Sequence, residues 1–332
     1  MNLHKNKGVF QELVEATSDE FNLQTFQVEK DYYVSLFLKN LLEVAPNIVF
    51  KGGTSLSKCY NVINRFSEDI DLTINFEEDK LTSGPLKRSQ KPLIQAIKDT
   101  ITKLNFTFLN DEQEDPIHSG RHFNKYKVGY NRIYKGGDDL QMLDHILIET
   151  TLTYKPFPCE IKPVSNYITK FLEKEELTDL IEEYSLYPFP MNIQSIDRTF
   201  IDKIFALCDY HHDKDYIRKS RHIYDIHKIY KSGLLNIENL PSLVSQVIEA
   251  RRLGKKTYSC QAGYRPLYVL QEIINNAVFK KDYEVNTSEF LSEYVDYETS
   301  MDSLQEILTE GWIPDEIPED PNSLVGSNYQ NL

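Results

Sequence analysis

At 332 residues the chain is long enough for two domains with sizeable cores, which excludes a small scaffold held together by staples. Its 4 cysteines, Cys59, Cys159, Cys208 and Cys260, form no CxxC pair, which argues against a disulfide framework and a zinc ribbon and for a reducing compartment. The 37 Lys and Arg against 51 Asp and Glu give a net charge of −14, but 13 of the acids and none of the bases follow Lys281, so residues 1–281 stand at −1 and extensive duplex binding is disfavoured.

In chain order, Val28, Tyr32, Leu36, Lys39 and Leu42 recur at helical spacing, and this first helix ends near Pro46. Ile48-Val-Phe50 reads as a buried strand that breaks at Gly52-Gly53. A helix follows over Leu56, Cys59, Tyr60 and Ile63, with Thr54 or Ser55 as its cap. Ile70, Leu72, Ile74 and Phe76 then alternate with Asp69, Asp71, Thr73 and Asn75, the clearest strand in the chain. Two further strands are expected over 123–134 and 144–154, joined by a turn at Gly136-Gly-Asp-Asp139. From Thr169 the pattern turns helical, over 172–184, 198–210, 220–230, 240–252, 267–278 and 288–308. The expected organisation is an α/β domain over 1–160, a helical domain over 161–310 and an acidic, proline-containing tail over 311–332 laid on the surface. No apolar run approaches the ~18 residues that span a bilayer, so a soluble, unanchored protein with no membrane partner is expected.

The chemistry begins at Lys51-Gly-Gly-Thr-Ser55. A strand that delivers two glycines into the start of a helix leaves backbone N–H groups pointing outward, where an anion such as a phosphate is favoured. Lys51 and Lys58 offer cations there, and Thr54, Ser55, Ser57 and Ser67 offer hydroxyls. Alone, a Gly-Gly pair specifies only a turn, and the GxxxxGK[ST] spacing of a Walker loop is absent. The second piece is Arg65-Phe-Ser-Glu-Asp69-Ile-Asp71-Leu, whose strand places Asp69 and Asp71 on one face about 6.5 to 7 Å apart, suited to hard cations such as Mg²⁺ or Mn²⁺.

Strand, Gly-Gly turn, helix and DxD strand in that order resemble the nucleotidyltransferase core of the DNA polymerase beta type, although 14 residues separate Thr54 from Asp69, more than that pattern usually has. The implied fold class is α+β, with a mixed sheet and helices in the N-terminal core and a C-terminal helical lobe. A narrower resemblance runs over about residues 28–230. Glu29-Lys-Asp-Tyr32, Phe50-Lys-Gly-Gly-Thr-Ser-Leu-Ser-Lys58, Arg65-Phe-Ser-Glu-Asp-Ile-Asp-Leu72, Arg198-Thr-Phe-Ile-Asp-Lys203 and Arg221-His-Ile-Tyr-Asp225 are similar to blocks of the AbiEii/AbiGii toxin family.

That resemblance implies an enzyme of a prokaryotic cytoplasm that transfers a nucleotidyl group from an NTP to an acceptor hydroxyl such as a tRNA 3′ end. Growth arrest and a cognate antitoxin partner follow from it. It implies further that Asp69 and Asp71 hold metal and that Lys203 and Asp225 complete the catalytic set. On the residues alone, Lys203 pairs with Asp202 or Asp209 or offers its charge to phosphate, and Asp225 is either an ion-pair partner of Arg221 or a general base. Alanine at Asp69, Lys203 or Asp225 is expected to abolish transfer and leave the fold intact. Glu149, in Ile146-Leu-Ile-Glu, is the candidate third metal acid. Arg218, Lys219 and Arg221, with Arg251, Arg252, Lys255 and Lys256 beside Tyr258, Tyr264 and Tyr268, form a candidate route for an RNA end. His211-His212 with Asp213 and Asp215 reads as a polar helix end, and the four cysteines as small apolar fillers. Two other readings stay open: a nucleotide-sensing protein without turnover, and a kinase or phosphohydrolase on the same fold.

Overall fold

The computed structural model describes residues 1–67, 69–76, 82–136, 143–153, 155–254 and 256–324. Some sequence expectations fall outside these residues in part: the turn at Gly137-Asp138-Asp139, the end of the expected strand at Tyr154, Lys255 of the basic route, and the last residues of the tail, 325–332. The chain forms two compact units.

The first unit takes in the described parts of Met1–Tyr60, Phe66–Leu152 and Cys159–Ile193. Its elements are α1 (Lys7–Phe21), α2 (Thr25–Val44), β1 (Ile48–Lys51), α3 (Gly52–Ser55), β2 (Asp69–Ile74), α4 (Ser83–Lys103), β3 (Thr107–Phe108), β4 (Phe123–Gly129), β5 (Ile146–Thr151), β6 (Cys159–Val164), α5 (Tyr167–Lys174), α6 (Thr178–Glu183) and β7 (Phe189–Gln194). The seven strands form one mixed sheet in the order β3-β4-β5-β2-β1-β7-β6. β1 and β2 run antiparallel, as do β4 and β5, while β2 and β5 run parallel. Period-2 burial explains β2: Ile70, Leu72 and Ile74 are buried and share one core with Val28, Phe37, Leu38 and Leu41 of α2. Each such side chain contributes about 1.5–3 kcal/mol by leaving water. β1 is short and wholly apolar up to Phe50, as a strand covered on both faces must be.

The structure departs from the sequence pattern at three places in this unit. α4 hides behind Pro92 within the helix and a polar composition, yet its Leu86, Leu93, Ile97 and Ile101 form a buried stripe. β6 lies at the expected domain boundary and β7 between two expected helices, and Met191 and Ile193 of β7 turn inward as that strand settles beside β1. They carry the first unit to Ile193, past residue 160. The helix after Gly-Gly starts at Gly52 rather than behind a Thr54 or Ser55 cap, passes into a π-helical turn over Leu56–Tyr60, and stops short of Ile63.

The second unit takes in Asn61–Arg65, the described part of Thr153–Pro158, and that of Gln194–Leu332. It is helical, with α7 (Ile196–Asp213), α8 (Arg221–Lys231), α9 (Leu240–Arg251), α10 (Pro266–Asn276), the single turn α11 (Lys280–Asp282) and α12 (Tyr297–Thr309). Ser195 caps α7 by accepting from the Arg198 N–H, and Asp296 caps α12 from Thr299. The segment expected as a surface tail is a strap instead. Trp312, Ile313 and Ile317 are buried, and Trp312 packs edge-on against Phe200 and Tyr230. Backbone bonds tie Ile317 to Gly263 and Tyr264, and Ser245 donates to the Pro321 carbonyl at 2.5 Å. Among the described residues, no helix is long and apolar enough to cross a membrane.

Candidate active site

In the first unit, strand register gathers the expected acids. Lys51 pairs with Asp71, Asp71 with Glu149, and Glu149 with Lys125. Directly paired residues point to the same face, so β1, β2, β5 and β4 present one row reading Lys51, Asp71, Glu149, Lys125, with neighbouring strands about 4.8 Å apart. Asp69, two residues from Asp71, shares that face, which is opposite the one that Ile70, Leu72 and Ile74 bury. The Lys125 ammonium sits 2.8 Å from the Glu149 carboxylate. Glu149, picked out by sequence as a lone strand acid, therefore lies beside Asp71.

Among the described residues, no three His, Cys, Asp or Glu side chains are already drawn together as a closed metal site. The donor set nevertheless fits Mg²⁺ or Mn²⁺, because Mg²⁺ is held by one or two carboxylates completed by water and substrate phosphate. Asp69 and Asp71 would supply those carboxylates.

Gly52 is fitted to Asp71. Its φ is +78°, which a side chain rarely tolerates, and a Cβ there would stand 2.0 Å from Asp71 Oδ2. Gly53 follows it at the half-buried opening of α3. The hydroxyls expected to reach a phosphate are used locally. Thr54 Oγ1 donates to the Asp69 carbonyl at 2.5 Å and lies 2.9 Å from Ser67 Oγ, Ser55 donates to the Gly52 carbonyl, and Ser57 to that of Thr54. These bonds brace the turn against the DxD strand.

Lys58, expected as a phosphate cation, is instead buried. Its ammonium meets Asp31 Oδ1 at 2.5 Å and donates to Ser35 at 2.8 Å. Asp31 also accepts the Tyr167 N–H, Lys30 donates to the Leu143 carbonyl, and Glu29 accepts from the Ile133 and Tyr134 N–H groups. The Glu29-Lys-Asp block is thus an internal clamp in which Asp31 holds the π-helical turn that follows Gly-Gly, while Glu29 and Lys30 hold the backbone at 133–134 and at Leu143. Lys51 remains the cation of that segment, half-buried and in register with Asp71. Lys58→Met leaves Asp31 buried without its cation and is expected to cost about 3–5 kcal/mol in a urea unfolding experiment. A loss below about 1 kcal/mol would refute the clamp.

In the second unit, Lys203 and Asp225 meet directly. The Lys203 ammonium lies 2.8 Å from Asp225 Oδ2, and the Arg65 guanidinium grips the same carboxylate side-on, Nε to Oδ1 and Nη2 to Oδ2, both at 2.7 Å. Lys203 therefore pairs with neither Asp202 nor Asp209, and Asp225 does not rest on Arg221. Asp202 is taken by Arg198 and Arg251, and Asp209 by Arg251. Burial by itself would push the Asp225 carboxyl up, but Arg65 and Lys203 outweigh it and hold the group well below the usual carboxylate range. Burial and the same cations keep the neighbouring His222 neutral.

Arg65 was not marked by the sequence reading as a site residue. The signal available was its place at the head of the DxD block. Its segment is fixed within this unit: the Asn64 N–H donates to the Tyr224 hydroxyl, the Ser292 N–H donates to the Asn64 carbonyl, and Arg65 bridges to Leu291.

The basic route is largely dismantled. Arg251 is buried against Asp202 and Asp209, while Arg252 donates to the carbonyls of Cys260, Pro318 and Glu319 and so fastens the strap. Tyr264 donates to the Cys208 carbonyl, Lys219 lies over Tyr210, and Arg221 over Phe290. Tyr258 stacks on His212. Arg218, Lys256 and Tyr268 stay exposed. Cys208 and Cys260 are buried fillers, and Cys59 is half-buried with its thiol pushed up to about 12 by burial. His211 and His212 end α7, which closes at Lys214 in the left-handed conformation.

The chain matches the family model described as nucleotidyl transferase AbiEii toxin, type IV TA system, over residues 36–310. Curated proteins yield no match. Among solved structures, MenT4, a nucleotidyltransferase toxin of Mycobacterium tuberculosis H37Rv, aligns over 94% of this chain and 92% of its own, at 13% identity and a TM-score of 0.49.

Proposed function

Because the chain belongs to the AbiEii family of nucleotidyl transferase toxins of type IV toxin–antitoxin systems, we propose that its Asp69-Asp71 face works with a divalent cation to transfer a nucleotidyl group from an NTP to an acceptor hydroxyl. We take the acceptor to be a tRNA 3′ end and the outcome to be growth arrest relieved by an antitoxin. The observation that carries the chemistry is the register row that puts Glu149 beside Asp71, with lysines at both ends. In the reaction the acceptor hydroxyl gives up its proton to water, its oxygen bonds to the α-phosphorus, the bond from that phosphorus to the bridging oxygen breaks, and pyrophosphate leaves. A divalent cation held by Asp69 and Asp71 would neutralise polyphosphate charge. Lys51, in register with Asp71, is a cation for the phosphates, and the family resemblance alone gives Lys203 the same role. Asp225, with three N–H donors on a deeply ionised carboxylate, is better suited to hold its partners than to take a proton.

Incubating the protein and total tRNA with Mg²⁺ and α- or γ-labelled NTPs tests the reading. Label in RNA from the α position alone supports it. Label from the γ position on protein makes the enzyme a kinase, and NTP binding with no label anywhere favours a sensing role. Asp69→Ala and Asp71→Ala are each expected to weaken Mn²⁺ binding, read by calorimetry, more than about a hundredfold. Unchanged Mn²⁺ affinity in both would remove the metal assignment.

A further inference from the structure

We infer that Arg65 is a positioning residue for the transfer reaction, its guanidinium fixing Asp225 so that Asp225 in turn holds Lys203 in one place as a cation for nucleotide phosphate. The inference rests on the reading of Lys203 given above. Arg65 and Asp225 are 5% and 0% exposed as side chains, and Lys203 is 8% exposed. Two parallel N–H bonds fix the plane of the carboxylate, which a single ammonium cannot do. With that plane fixed, Oδ2 is the atom that meets Lys203 Nζ, and the long lysine stem is left with one anchored end. Lys203 alone on Asp225 would be free to swing about its oxygens. Arg65 is itself held through Asn64, whose N–H meets the buried Tyr224 hydroxyl and whose carbonyl accepts the Ser292 N–H, and by the backbone bridge to Leu291.

A residue that merely neutralised Asp225 could be replaced by any cation, whereas a residue that orients it could not. Arg65→Lys keeps the charge and removes the fork. In the full-length protein, with Mg²⁺, α-labelled NTPs and total tRNA, and at a temperature where circular dichroism shows the variant folded, kcat is expected to fall at least about tenfold. Adding Arg65→Lys to Lys203→Ala should cost nothing further in transfer or in NTP affinity by calorimetry, because the first change acts through the second. Asp225→Glu, which keeps every charge and displaces the carboxylate by one methylene, should show the same loss and serves if Arg65→Lys does not fold. Wild-type kcat in folded Arg65→Lys, or in Asp225→Glu, would overturn the inference, as would an additive loss in the double variant. A wild-type protein that neither binds nor transfers nucleotide would instead overturn the underlying reading, and the inference with it.

Discussion

Gly52→Ala is expected to reduce nucleotidyl transfer by about two orders of magnitude or more while the chain still folds. Two effects converge. The φ of +78° costs an L-residue roughly 1–2 kcal/mol, and the new methyl would fall 2.0 Å from the Asp71 carboxylate oxygen. The nearest atoms belong to the Asp71 side chain and not to backbone, so the carboxylate turns aside rather than the strand. A displacement of about 1 Å at a reacting centre is enough for a hundredfold loss. The check is transfer and Mn²⁺ affinity in Gly52→Ala, Asp71→Ala and the double variant. If the glycine acts through Asp71, the double variant is no worse than Asp71→Ala, and near-normal transfer in Gly52→Ala would show that the carboxylate's position is immaterial.

Removing Asp225 should unfold the second unit far more readily than removing Asp69 disturbs the sheet. The sequence reading expected Asp225→Ala to leave the fold intact, but the residue is fully buried between Arg65 and Lys203, themselves 5% and 7% exposed. Taking the anion away strands two buried cations, at a cost of about 3–5 kcal/mol. The triple variant Asp225→Leu, Arg65→Met, Lys203→Met removes all three charges and should regain most of that stability while remaining inactive. A triple variant no more stable than Asp225→Ala would disprove the electrostatic account. The pH dependence has a definite sign. The folded Asp225 carboxyl lies below its unfolded value of about 3.9, so its contribution is complete above that pH and is lost as pH falls toward the folded value. Urea midpoints should be flat in this respect at neutral pH and drop in acid, and the triple variant should lack this part of the drop.

What could be read from sequence was local. The period-2 pattern of β2 and the Gly-Gly break are complete within a few residues, and they placed Asp69, Asp71 and the turn. Glu149 was visible only as a strand acid, since its neighbour Asp71 is 78 positions away and register is decided by pairing. The role of Lys58 was misjudged for the same reason: Asp31 lies 27 residues earlier, and no spacing rule joins a π-helical turn to the middle of α2. β7 escaped because a six-residue strand with Pro190 between two helical stretches carries little periodic signal. Arg251 and Arg252 looked like a basic patch because composition does not show which side of a helix faces carbonyls and carboxylates.

The strap over 311–324 also sets an order of events. During synthesis α7 through α12 leave the ribosome before Trp312, Ile313 and Ile317, so the helical unit must wait with part of its apolar surface uncovered. Arg252, whose carbonyl partners at Pro318 and Glu319 emerge more than sixty residues after it, is meanwhile without them. Maturation of this unit is therefore timed by translation, and a nascent chain that already displays its sheet with Asp69, Asp71 and Glu149 is still unfinished as a folded protein.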